Sequence, residues 1–228
     1  MVPARSLAAR WWHRRQDGYS VTEIVIDAVV HGIGLALAIA AGSVLLVFAL
    51  GGTAPEELPA LLIYLGTMFT LLAISMSYNL VRPSAAKRVL ASLDQAAIFL
   101  FIAGTYTPFL ALLSGTTLGT TMMAAVWGAA LVGVALKLVV PQKFGRLAIV
   151  LYLAIGWSGV LAFRALAEEL PPATLWLLLA GGMVYSAGIV FHLWERLRFH
   201  NALWHVCVVA GAMLHLAAVI DCMVVSRL

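Results

Sequence analysis

The sequence contains seven apolar runs, each long enough to form a membrane-spanning helix, separated by short polar or Pro/Gly-marked breaks. About 20 helical residues cross the roughly 30 Å hydrocarbon core of a bilayer. The runs lie at 24–50, 60–81, 94–113, 118–140, 147–167, 173–194 and 203–225. Hydrophobic residues make up 63% of the chain and charged residues only 11%, which excludes a water-soluble fold. We therefore predict an all-α integral membrane protein built as a bundle of seven transmembrane helices.

The basic residues lie almost entirely on one side of these runs. Twelve of the 14 Lys and Arg residues precede the first run or lie near the loops after the second, fourth and sixth runs: Arg5, Arg10, Arg14, Arg15, Arg82, Lys87, Arg88, Lys137, Lys143, Arg146, Arg196 and Arg198. Because Lys and Arg in short loops stay cytoplasmic, the N-terminus is predicted inside and the C-terminus outside. We divide the chain into a cytoplasmic basic N-terminal segment, 1–23, and a seven-helix transmembrane domain, 24–228.

The same charge pattern bears on partners and location. The basic residues occur in small groups between apolar runs and form no continuous face, so the formal net charge of +4 does not indicate nucleic acid as a partner. The lipid bilayer is the predicted partner. We expect a multi-pass protein of the plasma (inner) membrane.

Span one begins with a stripe of ionisable residues. Glu23, Asp27 and His31 follow one another at intervals of four and therefore share one helical face. The simplest interpretation is a polar stripe at the cytoplasmic interface and against a neighbouring helix. Ionisable groups inside a span are costly, so a functional role stays open as the alternative.

The start of span three has the pattern of a helix N-terminus. Ser92 and Gln95 have the spacing of a capping box, and Asp94 would lie in the first turn, near the positive end of the helix dipole. A purely structural role for Asp94 is therefore one interpretation. The alternative is a role in a site shared with other helices.

Polar residues from three spans fall at one predicted depth near the cytoplasmic side. They are Ser75 and Asn79 in span two, Asp94 in span three, and Asn201 and His205 in span seven. Residues with independent structural roles need not agree in depth. The agreement therefore predicts a common polar site.

At these residues the sequence resembles the hemolysin III family, the bacterial branch of the progestin and adipoQ receptor superfamily. The most specific segment runs from Asp94 to Phe109, DQAAIFLFIAGTYTPF, and is similar to that family's third-span signature. Further support comes from His31-Gly-Ile-Gly34, Leu151-Tyr-Leu-Ala-Ile-Gly-Trp157, Leu203-Trp-His205, Ala210-Gly211 and His215. The similarity extends over the chain from Glu23 onward.

The resemblance implies seven helices with the N-terminus inside and a zinc ion near the cytoplasmic side. In the family, one histidine closes a Ser-x-x-x-His pattern in span two, and two histidines form a His-x-x-x-His pattern in span seven. The serine and the aspartate that opens span three lie beside the metal, where the aspartate can position a zinc-bound water. In this chain Ser75, Asp94 and His205 match that pattern.

Two of the three implied ligand positions depart from the pattern, because Asn79 and Asn201 stand where histidines are expected. An amide oxygen is a poor zinc ligand, and His205 with Asp94 would supply only half of a four-coordinate site. Zinc is therefore doubtful as a cofactor. A tightly held ion would require His200 or His31 as a substitute ligand.

Three functions stay open. The favoured one is a non-catalytic role in sensing or membrane homeostasis, in which the polar site binds a lipid or small molecule. The side chains expected to line the cavity are Asn79, Asn201, His31 and His200. The first alternative is a zinc-dependent lipid amide hydrolase similar to ceramidases, with Asp94 and Ser75 as catalytic residues. The second alternative is a pore-forming or ion-conducting protein, although the spans carry no ring of charges.

Overall fold

The computed structural model describes residues 19–52, 55–81, 84–139 and 145–227. These residues form seven helical spans that are long and apolar enough to cross a membrane, and they contain no β-strand. The predicted all-α, seven-span fold is therefore confirmed. Residues 1–18 of the basic N-terminal segment and the breaks at Arg82-Pro83 and Pro141 lie outside the described residues.

Eight α-helices build the seven spans. They are α1 (Val21–Gly52), α2 (Leu58–Leu80), α3 (Ala85–Ala111), α4 (Thr117–Val139), α5 (Gly145–Trp157), α6 (Phe163–Glu169), α7 (Pro172–Leu193) and α8 (His200–Met223). The short 3₁₀ segment Ser158–Ala162 joins α5 to α6, and these three elements make up the fifth span. A 3₁₀ turn, Val225–Arg227, follows α8.

Helix α8 packs against both α1 and α7, while α2 lies between α1 and α3, and α3 also contacts α4. Gly34 allows α1 to come close to α8, because a Cβ atom at this position would lie only 2.6 Å from Cγ2 of Val209. Small residues at helix contacts are the usual means of close packing inside a membrane. Gly34 is one turn from His31, so this contact brings the polar stripe of α1 against α8.

Helix α3 begins well before the predicted start of span three. The Ser84 side chain accepts a hydrogen bond from the Lys87 backbone N–H at 3.2 Å and caps the helix at Ala85. The Ser92 hydroxyl instead donates to the Arg88 carbonyl inside the helix. The predicted capping box at Ser92 and Gln95 is therefore wrong. The helix extends beyond the apolar run because a helix need not end at the membrane boundary, and this places Asp94 in its third turn.

The fifth span is interrupted where the sequence predicted a continuous helix. The Tyr106 hydroxyl on α3 lies 3.0 Å and 2.7 Å from the carbonyl oxygens of Ile155 and Gly156, and it accepts a hydrogen bond from the Gly159 N–H at 2.7 Å. Backbone groups at membrane depth need such partners because no bulk water is available there. A side chain from another helix thus stabilises the break.

Candidate metal-binding and ligand-binding site

The carboxylate of Asp27 connects α1 to α8. Its Oδ1 atom lies 2.5 Å from Nδ1 of His205, and its Oδ2 atom accepts a hydrogen bond from the Asn201 amide at 3.1 Å. Asn201 and His205 are one turn apart on α8, so both reach the same carboxylate. Asp27 is only 4% exposed, and these two partners satisfy a carboxylate that would otherwise be costly to bury.

The imidazole of His31 connects α1 to α2. Its Nδ1–H donates to the backbone carbonyl of Asp27 at 2.8 Å, which leaves the lone pair on Nε2. That lone pair accepts from the Ser75 hydroxyl at 2.9 Å, and Nδ2 of Asn79 lies 3.3 Å from it. The Asn79 amide also donates to the Ser75 carbonyl at 3.1 Å, which holds it in place.

Asp94 brings a fourth helix, α3, to this group of side chains. Its carboxyl group lies close to the Ser75 hydroxyl, which is the partner of His31. Asp94 is half-buried. The hydrogen bonds of Asp27 and His31 therefore join α1, α2 and α8, and Asp94 on α3 lines the same cavity as Ser75 and His205.

Three members of this network could hold a metal ion. Asp27, His31 and His205 are all buried, and each offers one ligand atom within 4.8 Å of the others. Imidazole nitrogen and carboxylate oxygen are established ligands of zinc and related ions. The sequence predicted His205 and Asp94 as metal ligands, and this pairing stays a prediction; the group found in the structure joins His205 to two residues of α1. Asp27 was absent from the predicted site, although its spacing of four residues from His31 was the signal for it.

The remaining predicted residues have other positions. The amide nitrogen of Asn79 faces His31, and that of Asn201 faces Asp27. At the two positions where the resemblance implies histidines, the chain therefore has hydrogen-bond donors. His200 lies outside the three-residue group. Its Nε2 atom is 3.2 Å from the Tyr19 hydroxyl, while its Nδ1 atom is buried and has no hydrogen-bond partner among the residues that the structure describes.

The network lies where a polar cavity meets an apolar one. The larger cavity, here called the polar chamber, has a volume of about 900 Å³, and its lining includes Asp94, Lys137, His192, His200, Asn201 and His205. The second, here called the inner cavity, has a volume of about 130 Å³ and is mainly apolar. Asp94 and His205 line both cavities, and Ser75 lines the inner one.

A third cavity continues the apolar space. This outer cavity has a volume of about 370 Å³ and shares Tyr106, Trp157, Gly182 and His215 with the inner cavity. Its lining also includes Leu110, near the end of α3. The three cavities therefore follow one another from the polar network along α3.

Comparisons with known proteins agree over most of the chain. A family profile described as Haemolysin-III related matches residues 19–216. Hemolysin-3 of Bacillus cereus is 35% identical over 192 residues, which cover 84% of this chain and 88% of that protein. The Hemolysin-3 homolog of Bacillus subtilis (strain 168) is 34% identical over 194 residues, which cover 85% of this chain and 91% of that protein.

A more distant similarity reaches an animal protein. The human Monocyte to macrophage differentiation factor is 28% identical over 127 residues, which cover 55% of this chain and 52% of that protein. No solved structure matches the chain. The family profile covers the residues of the polar network, the two bacterial relatives match more than four fifths of the chain, and the chain is therefore a multi-pass membrane protein that belongs to the Haemolysin-III related family.

Proposed function

We propose that this protein binds an amphiphile and acts as a non-catalytic sensor in the plasma membrane. The polar head group lies at the junction of the polar chamber and the inner cavity, and the apolar tail occupies the inner and outer cavities. The observation that carries the proposal is the position of Asp94 and His205, which line both the polar and the apolar space.

The apolar space has the extent that a lipid tail requires. It follows α3 from Asp94 to Leu110, which corresponds to about 24 Å of helix at 1.5 Å per residue. At its inner end, carboxyl, imidazole and hydroxyl groups can donate and accept hydrogen bonds from a head group. Ligand sites in helical bundles commonly combine an apolar lining with a few polar groups of this kind.

Two observations favour binding over the other functions considered. Asn79 and Asn201 occupy the positions at which the resemblance implies zinc-ligating histidines, so the family type of catalytic centre lacks support here. Among the described residues that line the inner and outer cavities, Asp94 is the single member of the Asp, Glu, Lys and Arg types. An apolar passage of this kind favours an acyl chain over an ion.

Cross-linking with a photoreactive single-chain lipid tests the proposal. A fatty acid with a diazirine in its tail should label residues of the inner and outer cavities, and labelling should increase with chain length. The Gly182→Leu variant should block the tail, because Gly182 lines both cavities and a Cβ atom there would lie 3.6 Å from Trp157. Exclusion of about four methylenes at about 0.8 kcal/mol each should weaken binding roughly 200-fold.

Gly128→Leu is the matched control. Gly128 is exposed on α4, and a Cβ atom there would meet nothing within 4 Å, so the added side chain should leave labelling unchanged. Equal labelling of the two variants, or labelling only on lipid-facing helix surfaces, would contradict the proposal.

A second candidate function is lipid amide hydrolysis. It is favoured by the contact between Ser75 and Asp94 beside Asp27, His31 and His205, since a hydrolase needs groups that hold and orient a water molecule. Incubation of the protein with N-acyl lipids and mass spectrometry of the products distinguishes the two functions. Release of fatty acid that is lost in the Asp94→Asn variant would establish the hydrolase.

A further inference from the structure

We infer that Asp27, His31 and His205 form a binding site for a divalent first-row transition metal, in which α1 supplies two of the three protein ligands. This inference goes beyond the proposed function, because amphiphile binding at the cavity junction does not require a metal. It also replaces the expectation from the sequence alone that the site lacks enough ligands.

The donor set determines the class of metal. Two imidazole nitrogens and one carboxylate oxygen suit Zn²⁺ and its first-row neighbours, whereas Mg²⁺ and Ca²⁺ require mainly oxygen ligands. Asp27 and His31 are four residues apart on α1, so both side chains project from one helical face. His205 approaches from α8 and completes the group.

The surrounding hydrogen bonds orient two of the three ligands for a metal. The Nδ1–H of His31 is bound to the Asp27 carbonyl, and the Nε2 lone pair is therefore directed away from its own helix. The Asn201 amide holds the Oδ2 atom of Asp27. Such outer hydrogen bonds are a regular feature of metal sites, since they fix the tautomer and orientation of each ligand.

A metal bound at this site would have to replace the direct contact between Asp27 and His205. Ligand atoms around a tetrahedral zinc are about 3.3 Å apart, as follows from metal–ligand distances of about 2.0–2.1 Å. The 2.5 Å separation of Asp27 Oδ1 and His205 Nδ1 is shorter, as expected for a hydrogen bond between these two atoms. If Nδ1 is the ligand atom, the metal replaces this hydrogen bond, and the two side chains move apart by about 1 Å.

An ion can reach the three-residue group, and the group leaves one coordination position open. His205 lines the polar chamber, through which an ion can reach the group from one end of the bundle. Three protein ligands leave a fourth position of a tetrahedral ion open to a water molecule or to a head group. At the two positions where the resemblance implies histidine ligands, Asn79 and Asn201 instead hold the α1 ligands.

Metal titration of the full-length chain in detergent tests the inference. The protein is stripped with a chelator, desalted, given Zn²⁺ or Mg²⁺, and desalted again before elemental analysis. We expect about one zinc per chain and no retained magnesium. The Asp27→Asn and His31→Gln variants should lower zinc affinity at least about tenfold, because each removes one ligand from the set.

His192→Gln is the matched control. His192 also lines the polar chamber, but it is exposed and lies outside the three-residue group, so this variant should retain the wild-type zinc content. Zinc content that falls equally in all three variants, or that persists in both ligand variants, would overturn the inference.

Cobalt substitution in the wild-type chain gives a readout that does not depend on how well the variants fold. Co²⁺ should produce visible d–d absorption without a thiolate charge-transfer band, because Cys207 and Cys222 are not in the group. A wild-type chain that retains neither ion, while the Asn79→His and Asn201→His double variant retains zinc, would refute the site on α1.

Discussion

Replacement of Asp27 by alanine should be among the most destabilising single changes in this protein. The substitution removes the acceptor of His205 Nδ1 and of the Asn201 amide, and it leaves both donors in a buried environment. Asp27 is 4% exposed and His205 is 7% exposed, so water cannot easily replace the lost partner. A buried donor left without its acceptor typically costs about 1–3 kcal/mol, and because this substitution affects two donors we expect a loss of about 3–5 kcal/mol.

Equilibrium unfolding in mixed detergent micelles, with a chelator present, measures this loss without a contribution from bound metal. The Asp27→Asn variant should lose less, about 1–3 kcal/mol, because its amide oxygen can still accept one of the two hydrogen bonds. A double-mutant cycle of Asp27→Ala with His205→Ala isolates the interaction between the two side chains. We expect the second substitution to cost much less in the background of the first.

Glu168→Ala is the control for this experiment. Glu168 lies 3.5 Å from Arg164 in a pair of comparable chemistry, but both side chains are exposed. Exposed ion pairs contribute little, so this variant should unfold like the wild type. If Asp27→Ala also left the stability unchanged, the argument that the buried carboxylate joins α1 to α8 would be refuted.

Three further predictions concern packing, the interrupted span and topology. Gly34→Ala should destabilise the chain by about 1–3 kcal/mol through overpacking, and Val209→Ala should restore part of the loss in thermal unfolding, because the added Cβ atom would lie 2.6 Å from the Val209 side chain. Tyr106→Phe should cost about 1–3 kcal/mol by leaving the Gly159 N–H without its partner, and an unchanged unfolding midpoint would argue against this bond. Tags at the two termini should be accessible from opposite sides of the membrane, with the N-terminus inside, and accessibility of both from one side would contradict the charge distribution.

The sequence was sufficient to predict the span count. This count follows from local composition, since a segment of about 20 consecutive apolar residues can cross a bilayer wherever it occurs in the chain. The shared depth of Ser75, Asn79, Asp94, Asn201 and His205 was counted from the span boundaries and stays a prediction. In the structure the Ser75 hydroxyl contacts His31, and Asn201 and His205 both contact Asp27.

The partners within that network depended on how the helices are rotated and packed. Periodicity placed Asp27 and His31 on one face of α1, but it did not indicate whether that face meets lipid, the interface or another helix. The close approach of α1 and α8 at Gly34 decides this, because it brings Asp27 within hydrogen-bonding distance of His205. The group of Asp27, His31 and His205 therefore became visible only in the tertiary structure.

Side-chain contacts that the apolar runs do not reveal also decided two features of the secondary structure. The interruption of the fifth span depends on the Tyr106 hydroxyl from α3, more than 40 residues away in the sequence. The start of α3 at Ala85 depends on the Ser84 cap, which lies outside the apolar run from which the span was predicted. Apolar length and charge are properties of a segment and can be read locally, whereas the partners of a buried polar atom are set by the helices packed around it.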